Sequence, residues 1–373
     1  MNILILQYWY DKYGGIESVN EILAEEFSKK NNVTKLSLYK DKGSKLQSKI
    51  YNNKYVFEEA VRPSMKRCLM KIKKLKFSSA FIDIKLYIKY LVQKFLCKSR
   101  VKKELKEIEP DKIIVSSIEL IKYIPNRYLS NTFLHMHSSV DYFFNEKNYF
   151  SILKKYCKKI NKVIWLTEKF SNQALDLGIV NSEFVYNPLK FKSNKTSNLN
   201  QKQIIYVGRI AKEKRVDLLI TIFNKFNKKN PDWKLKIVGE VPEDFSYEKN
   251  DNIEFVGKVS DVKMELLNSS IIALTSLYEG FPMALLEAYE CGVPAIVFDF
   301  GLSTFEILDS GNNGFIIEKD NIDMYVQKLE LYAKDESLRS KFGKSVKKYS
   351  SKFYPKKIVK KWYKLFGVEN EID

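Results

Sequence analysis

"IIALTSLYEGFPMALLEAYECGVPAIVF" (residues 271–298) decides the fold of this chain. It opens on a short apolar run, IIALTS (271–276), and closes on another, AIVF (295–298). Between them lies a stretch that reads as a mostly buried apolar helix, entered through a loop. Strand, helix and strand in immediate succession describe one crossover unit of a parallel sheet. The same alternation runs outward in both directions. Further strands are predicted at 203–208, 235–239 and 253–257, and in the first half at 2–8, 33–39, 112–117, 132–137 and 162–167. Such alternation implies helices packed on both faces of mainly parallel sheets. The polar stretch KFKSNKTSNLNQKQ (190–203) has no apolar period and reads as a linker. It divides the chain into two αβ domains, residues 1–190 and 200–353. A final amphipathic helix, about residues 354–373, is expected to return to the first domain. In sheets of this kind ligands bind outside the carboxyl ends of the strands, where strand order reverses. Two such domains facing each other enclose a site between them.

At 373 residues with 45% apolar residues, the chain can bury two sizeable cores. No run of 18 apolar residues is present, and the N-terminus lacks the pattern of a signal peptide. Cys68, Cys97, Cys157 and Cys291 are widely spaced, which fits reduced thiols in a cytosolic protein. The net charge of +19 is lopsided. Residues 1–200 hold 37 basic and 19 acidic residues, whereas residues 201–373 hold 27 and 26. Residues 51–100 alone carry 13 against 3, so a local anionic partner is implied. Apolar residues interleave these cations at helical spacing between 62 and 103. That mixture suits either a solvated helical insertion or a surface lying on an anionic bilayer. A nucleic-acid partner is disfavoured, because no recognisable nucleic-acid module accompanies the charge.

Four constellations carry chemistry. In YVGRIAKEKRVDLLI (206–220), Gly208 ends a strand, and Arg209 and Lys214 follow before a helix. Cations there can clamp a diphosphate, although an isolated pair is as readily a solvated loop charge. In YEGFPMALLE (278–287), Gly280 permits close backbone approach and Pro282 suits a first helical turn. The N–H groups of Phe281, Met283 and Ala284 can then face an anion. Glu279 and Glu287 are a loop acid and a helix acid, read either as ligand contacts or as a cap and a surface charge. The loop after the first strand holds Gly14 and Gly15 without the GxGxxG pattern. His135 and His137, at the end of a strand, are the only histidines and lack an evident third metal ligand. No D-x-D triplet occurs, so no carboxylate pair for a nucleotide-bound metal is expected.

Taken in this order, the motifs resemble the GT4 group of GT-B-fold glycosyltransferases. The likeness is strongest across 206–220, "LKIVGE", "IEFVG", 274–300 and "EILDSGNNGFII", with Glu279 and Glu287 at the E-x7-E spacing. The resemblance implies two Rossmann-like domains and a nucleotide-sugar donor, a UDP-sugar, as substrate with no cofactor and no metal. It implies that Arg209 and Lys214 bind the diphosphate, that Glu287 holds the ribose, and that Glu279 with Gly280 to Ala284 contacts the transferred sugar. Gly15 would close on the diphosphate, and His137 would stand near sugar and acceptor. The acceptor would be a lipid-linked or polymeric glycan of the bacterial surface, reached from the inner face of the plasma membrane. Configuration would be retained. Two departures stand out: Arg215 occupies a position where glycine is common, and DFGLSTFE (299–306) lacks the usual paired glycines.

Overall fold

The structure, a computed structural model, describes residues 1–9, 14–40, 50–57, 77–145 and 147–368. The first domain is a seven-stranded sheet in the order β3-β2-β1-β4-β5-β6-β7. Its strands are β1 (Asn2–Trp9), β2 (Asn32–Tyr39), β3 (Asn52–Phe57), β4 (Lys112–Val115), β5 (Thr132–His135), β6 (Lys162–Trp165) and β7 (Ser182–Phe184). The second is a six-stranded sheet in the order β10-β9-β8-β11-β12-β13. Those strands are β8 (Gln203–Val207), β9 (Lys234–Val238), β10 (Ile253–Gly257), β11 (Ile271–Leu274), β12 (Ala295–Phe298) and β13 (Gly314–Ile317). Every pairing in both sheets is parallel. The central strands are buried throughout, as Ile3–Leu6 and Ile271–Ala273 show. Burial on both faces is why they read as unbroken apolar runs.

Several strands end earlier than their apolar runs. β4, β5, β6 and β11 stop at Val115, His135, Trp165 and Leu274. Ser116, Ser117, His137 and Thr275 therefore stand in loops at the carboxyl ends. β3, β7 and β13 were not expected. They form the edges of their sheets and are polar, three residues long, or introduced by Asn-Asn-Gly.

Strand order reverses between β1 and β4 in the first sheet and between β8 and β11 in the second. Each reversal splays the following loops apart and opens a crevice. The two crevices face one another and form one cleft.

The helix Pro355–Phe366 returns to the first domain. Ile358, Trp362 and Phe366 pack with Val19, Leu23, Phe27 and Phe133 there. The segment 190–202 has no regular structure but is not loose. The Ser193 N–H donates to the Glu290 carboxylate at 2.7 Å, and the Ser197 N–H to the Cys291 carbonyl at 2.8 Å. Glu290 is fully buried and also accepts from Lys347 Nζ at 2.7 Å and Ser350 Oγ at 2.6 Å. The segment is thus fastened to the second domain, and flexing along this connection must occur ahead of Ser193.

Removing one partner of a buried ion pair leaves the other charge uncompensated. Glu290→Ala should lower unfolding free energy by about 3 kcal/mol, read as an earlier midpoint in urea denaturation. A midpoint unchanged from the parent protein would show that the buried carboxylate does not anchor the segment.

Candidate active site

The cleft encloses ≈ 790 Å³ and is lined from both domains. From the first domain come Tyr8, Gly15, Ser116, Ser117 and His137; from the second come Gly208, Arg209, Lys214 and Glu279 to Ala284. Of the residues singled out in the sequence, all but Glu287 and His135 reach this lining.

The second-domain wall is built on the turn after β8. Tyr206 Oη donates to the Arg209 carbonyl at 2.8 Å and fixes that turn. The Arg209 guanidinium extends into the opening, 75% exposed and 3.2 Å from Glu213. Arg215 adopts a left-handed backbone at φ 52°, the conformation that explains glycine's usual presence there. Its carbonyl accepts from Thr275 Oγ1 at 2.9 Å, and its guanidinium pairs with Asp320. These contacts offset the strain of a side chain at positive φ. They also aim Lys214 inward. Lys214 Nζ lies 2.7 and 2.6 Å from the two oxygens of Glu279, which also accepts from Ser276 Oγ at 2.7 Å. Lysine and glutamate are therefore each other's partner at the cleft floor, both largely buried.

The opening of the next helix differs in detail from expectation. Pro282 is its N-cap, with extended backbone, and the helix runs from Met283 to Glu290. The Met283 and Ala284 N–H groups are the first of the helix, and both residues line the cleft. Gly280 makes a close approach, but to protein. A Cβ there would meet the His137 carbonyl at 2.9 Å and the Ser138 Cα at 3.0 Å. The glycine thus allows the two domains to touch.

Glu287 does not line the cleft. It sits one turn into the helix, 8% exposed, and burial pushes its carboxyl up to about 7 against a weaker pull from Lys190. His137 lines the first-domain side; burial lowers it to about 3, so its imidazole is neutral. Its Nε2 has no hydrogen-bond partner among the described residues. His135 lies behind it, fully buried, with ring centroids 4.1 Å from His137 and 5.3 Å from Trp362. Tyr8 and Ser116 were not singled out in the sequence. Their place in the site follows from the β1–β4 reversal, which no local pattern reveals.

Residues 189–349 match the family described as glycosyl transferases group 1. The second domain belongs to that family. Over 208 residues the chain is 28% identical to an uncharacterized glycosyltransferase of Haemophilus influenzae, covering 54% of this chain and 57% of the relative. Over 169 residues it is 30% identical to the amylovoran biosynthesis glycosyltransferase AmsD of Erwinia amylovora, covering 43% and 47%. The chain spans about half the length of these relatives. A crystal structure of Anabaena Alr3699/HepE in complex with UDP superposes with a TM-score of 0.73 at 14% identity, covering 98% of this chain and all of that one. The likeness extends the group 1 domain's fold to the whole chain: this is the two-domain GT-B architecture.

The buried helix acid of the group 1 domain has a signature in stability. Its folded pKa of about 7 lies above the ordinary 4.5. Between those values the native state holds a proton that the unfolded chain has released, so stability falls as pH rises through this window. The full loss is on the order of 3 kcal/mol above pH 7. Glu287→Gln carries no such charge. It should match the parent near pH 4 and exceed it at pH 8 in chemical denaturation. A pH-independent difference between the two proteins would show that the carboxyl ionises normally.

Proposed function

We propose that the chain is a retaining, metal-independent glycosyltransferase. It would move a sugar from a UDP-sugar to a lipid-linked or polysaccharide acceptor during bacterial surface glycan synthesis. One observation carries this reading: the Lys214–Glu279 pair stands at the cleft floor beside Arg209 and the first N–H groups of the helix Met283–Glu290. Cation, guanidinium and helix N-terminus converge where a departing diphosphate would gather charge. The UDP bound by the Anabaena neighbour and the capsular polysaccharide biosynthesis named for a Staphylococcus aureus relative, CapM, 28% identical over 221 residues, support the donor and acceptor classes.

The chemistry follows from these groups. The entering diphosphate competes with Glu279 for Lys214 Nζ, and Arg209 adds its two-pronged fork. Glu279, relieved of the lysine and still held by Ser276, becomes an acceptor for a hydroxyl of the transferred sugar. Neutral His137 offers Nε2 from the opposite wall. The acceptor oxygen bonds to the anomeric carbon on the face from which the diphosphate leaves. The carbon–oxygen bond to phosphate breaks, and the acceptor proton passes to a phosphate oxygen, so configuration is kept. A ribose contact by Glu287 would require the carboxyl to be uncovered from its present burial.

Incubation with a panel of nucleotide sugars should release nucleoside diphosphate from at least one. Lys214→Ala should lower kcat/KM about a hundredfold, as losing one preorganised charge partner of a transition state does. Turnover should persist in EDTA. Loss in EDTA with recovery on Mg²⁺ or Mn²⁺ would refute the metal-free mechanism, and unaltered kinetics in the lysine variant would refute the site.

We further propose peripheral attachment to an anionic membrane through the first domain. No helix among the described residues is long and apolar enough to cross a bilayer. The basic stretch 62–76 lies outside the described residues. The helix Phe77–Ile108 that follows carries Ile84, Ile88, Leu91 and Phe95 on one stripe, all exposed, with Phe95 at 83%. Lys85, Lys89, Lys94 and Lys98 flank the stripe, while Gln93, Cys97 and Val101 bury the opposite face. An exposed apolar stripe edged by cations fits an anionic interface. Ile88→Ser with Phe95→Ser should release the protein from vesicles containing phosphatidylglycerol and leave nucleotide-sugar turnover intact. Undiminished sedimentation with those vesicles would rule the stripe out.

A further inference from the structure

The short helix Thr304–Ile307 belongs to the second domain, yet its glutamate reaches the first. Glu306 Oε1 accepts from the Glu168 N–H at 2.8 Å, and Oε2 from the Lys169 N–H at 3.1 Å. These are the opening residues of the helix Glu168–Asp176. That helix has its own cap, Thr167, whose hydroxyl takes the Phe170 N–H at 3.1 Å. Thr167 leaves the two preceding N–H groups free, and Glu306 takes both. Negative charge at that end is favoured by the helix dipole. Tyr186 Oη adds a third donor to Glu306 Oε1 at 2.8 Å. On its own side Glu306 is braced by Tyr349, whose hydroxyl donates to the Glu306 carbonyl.

The same short segment is tied to the cleft floor. Ser303 Oγ donates to the Glu279 carbonyl at 3.1 Å. Glu279 holds Lys214, and Gly280 abuts the His137 carbonyl. Tyr186, the phenol that grips Glu306, stacks on Phe281 with ring centroids 5.6 Å apart and planes 21° apart. Contacts between the domains thus converge on residues 279–281 and 303–306, within a few residues of the catalytic loop.

We propose that Glu306 is a positioning residue: an interdomain clamp that sets the register in which His137 faces Lys214 and Glu279. It touches neither sugar nor diphosphate and acts through the loop it immobilises. The kinetic part of this assignment rests on the transferase reading above; the structural part does not. A few tenths of an ångström at Gly280 alter the spacing between the walls, and misplacement on the scale of 1 Å costs on the order of a hundredfold in rate.

The test uses the whole chain and two variants, Glu306→Ala and Glu306→Gln. In Glu306→Ala, amide hydrogen exchange should quicken across 168–170, and small-angle scattering should report a larger radius of gyration than the parent. Titration with UDP, whose proposed contacts lie mainly in the second domain, should give a dissociation constant within about twofold of the parent, while kcat for nucleotide-sugar turnover falls at least tenfold. Glu306→Gln keeps one acceptor oxygen but turns the other into a donor, so it should recover only part of the turnover, whereas a purely local packing role would be recovered in full by this isosteric side chain. If Glu306→Ala scatters and exchanges like the parent, the clamp is refuted. If it opens the domains but turns over normally, the positioning role is refuted. Absence of UDP binding and turnover in the parent would instead overturn the transferase reading, with scattering and exchange still deciding the clamp.

Discussion

The site depends on a contact that allows no side chain. Gly280 lies so near the His137 carbonyl that a single methyl group would have to displace backbone. Backbone cannot yield as the end of a flexible side chain does, so any larger residue at this point would force the two domains apart. The other dimensions of the cleft follow from it. Glu279 precedes Gly280 in the chain, Lys214 is bound to Glu279, and Arg209 belongs to the turn that presents Lys214. The wall opposite begins at His137 itself. Interdomain contact and chemical site are therefore one structure.

Charge within this structure follows the supply of partners. Lys214 and Glu279 are both mostly buried, and each would be costly alone. Paired, each supplies the partner that burial denies it from water. Ser276 shares the carboxylate, so Glu279 has a second donor besides the lysine. His137 has no facing carboxylate to hold a proton, and desolvation keeps it neutral. The cleft thus gathers Arg209 and Lys214 on one wall, each beside a carboxylate, with the neutral imidazole of His137 on the other.

The sequence exposed these features unevenly. Central parallel strands were legible because burial on both faces writes continuous apolar runs. Edge strands such as Ser182–Phe184 pair on one side only and carry no such signal. Spacing placed Arg209, Lys214 and Glu279 between a strand and the helix that follows it, where they are found, Lys214 at the end of a 3-10 turn. It could not disclose the Lys214–Glu279 pair, which joins residues 65 positions apart. Nor could it show that Gly280 makes room for the other domain. Glu287 illustrates a different limit. Its place on the helix was legible, but its depth depends on what packs over that face, and periodicity does not record this. The segment 190–203 has a linker's composition, yet Glu290, the last residue of the helix Met283–Glu290, fastens it down.

Glu287 and Glu290 occupy the same eight-residue helix, one turn apart, and meet opposite fates. Glu287 lacks a close cation, and burial holds its proton. Glu290 is more deeply buried, yet Lys347, Ser350 and the Ser193 N–H surround it with donors. The difference gives the helix two distinct ends. Its first N–H groups open on the cleft, whereas its last residue is bonded to the segment joining the domains and to the helix Glu336–Ser350. A helix of two turns is too short to bend appreciably between these attachments. Displacement of the interdomain segment must therefore carry Met283 and Ala284 with it. The connection between the interdomain segment and the cleft is a single rigid element, fixed at one end by a buried carboxylate and open at the other to the cleft.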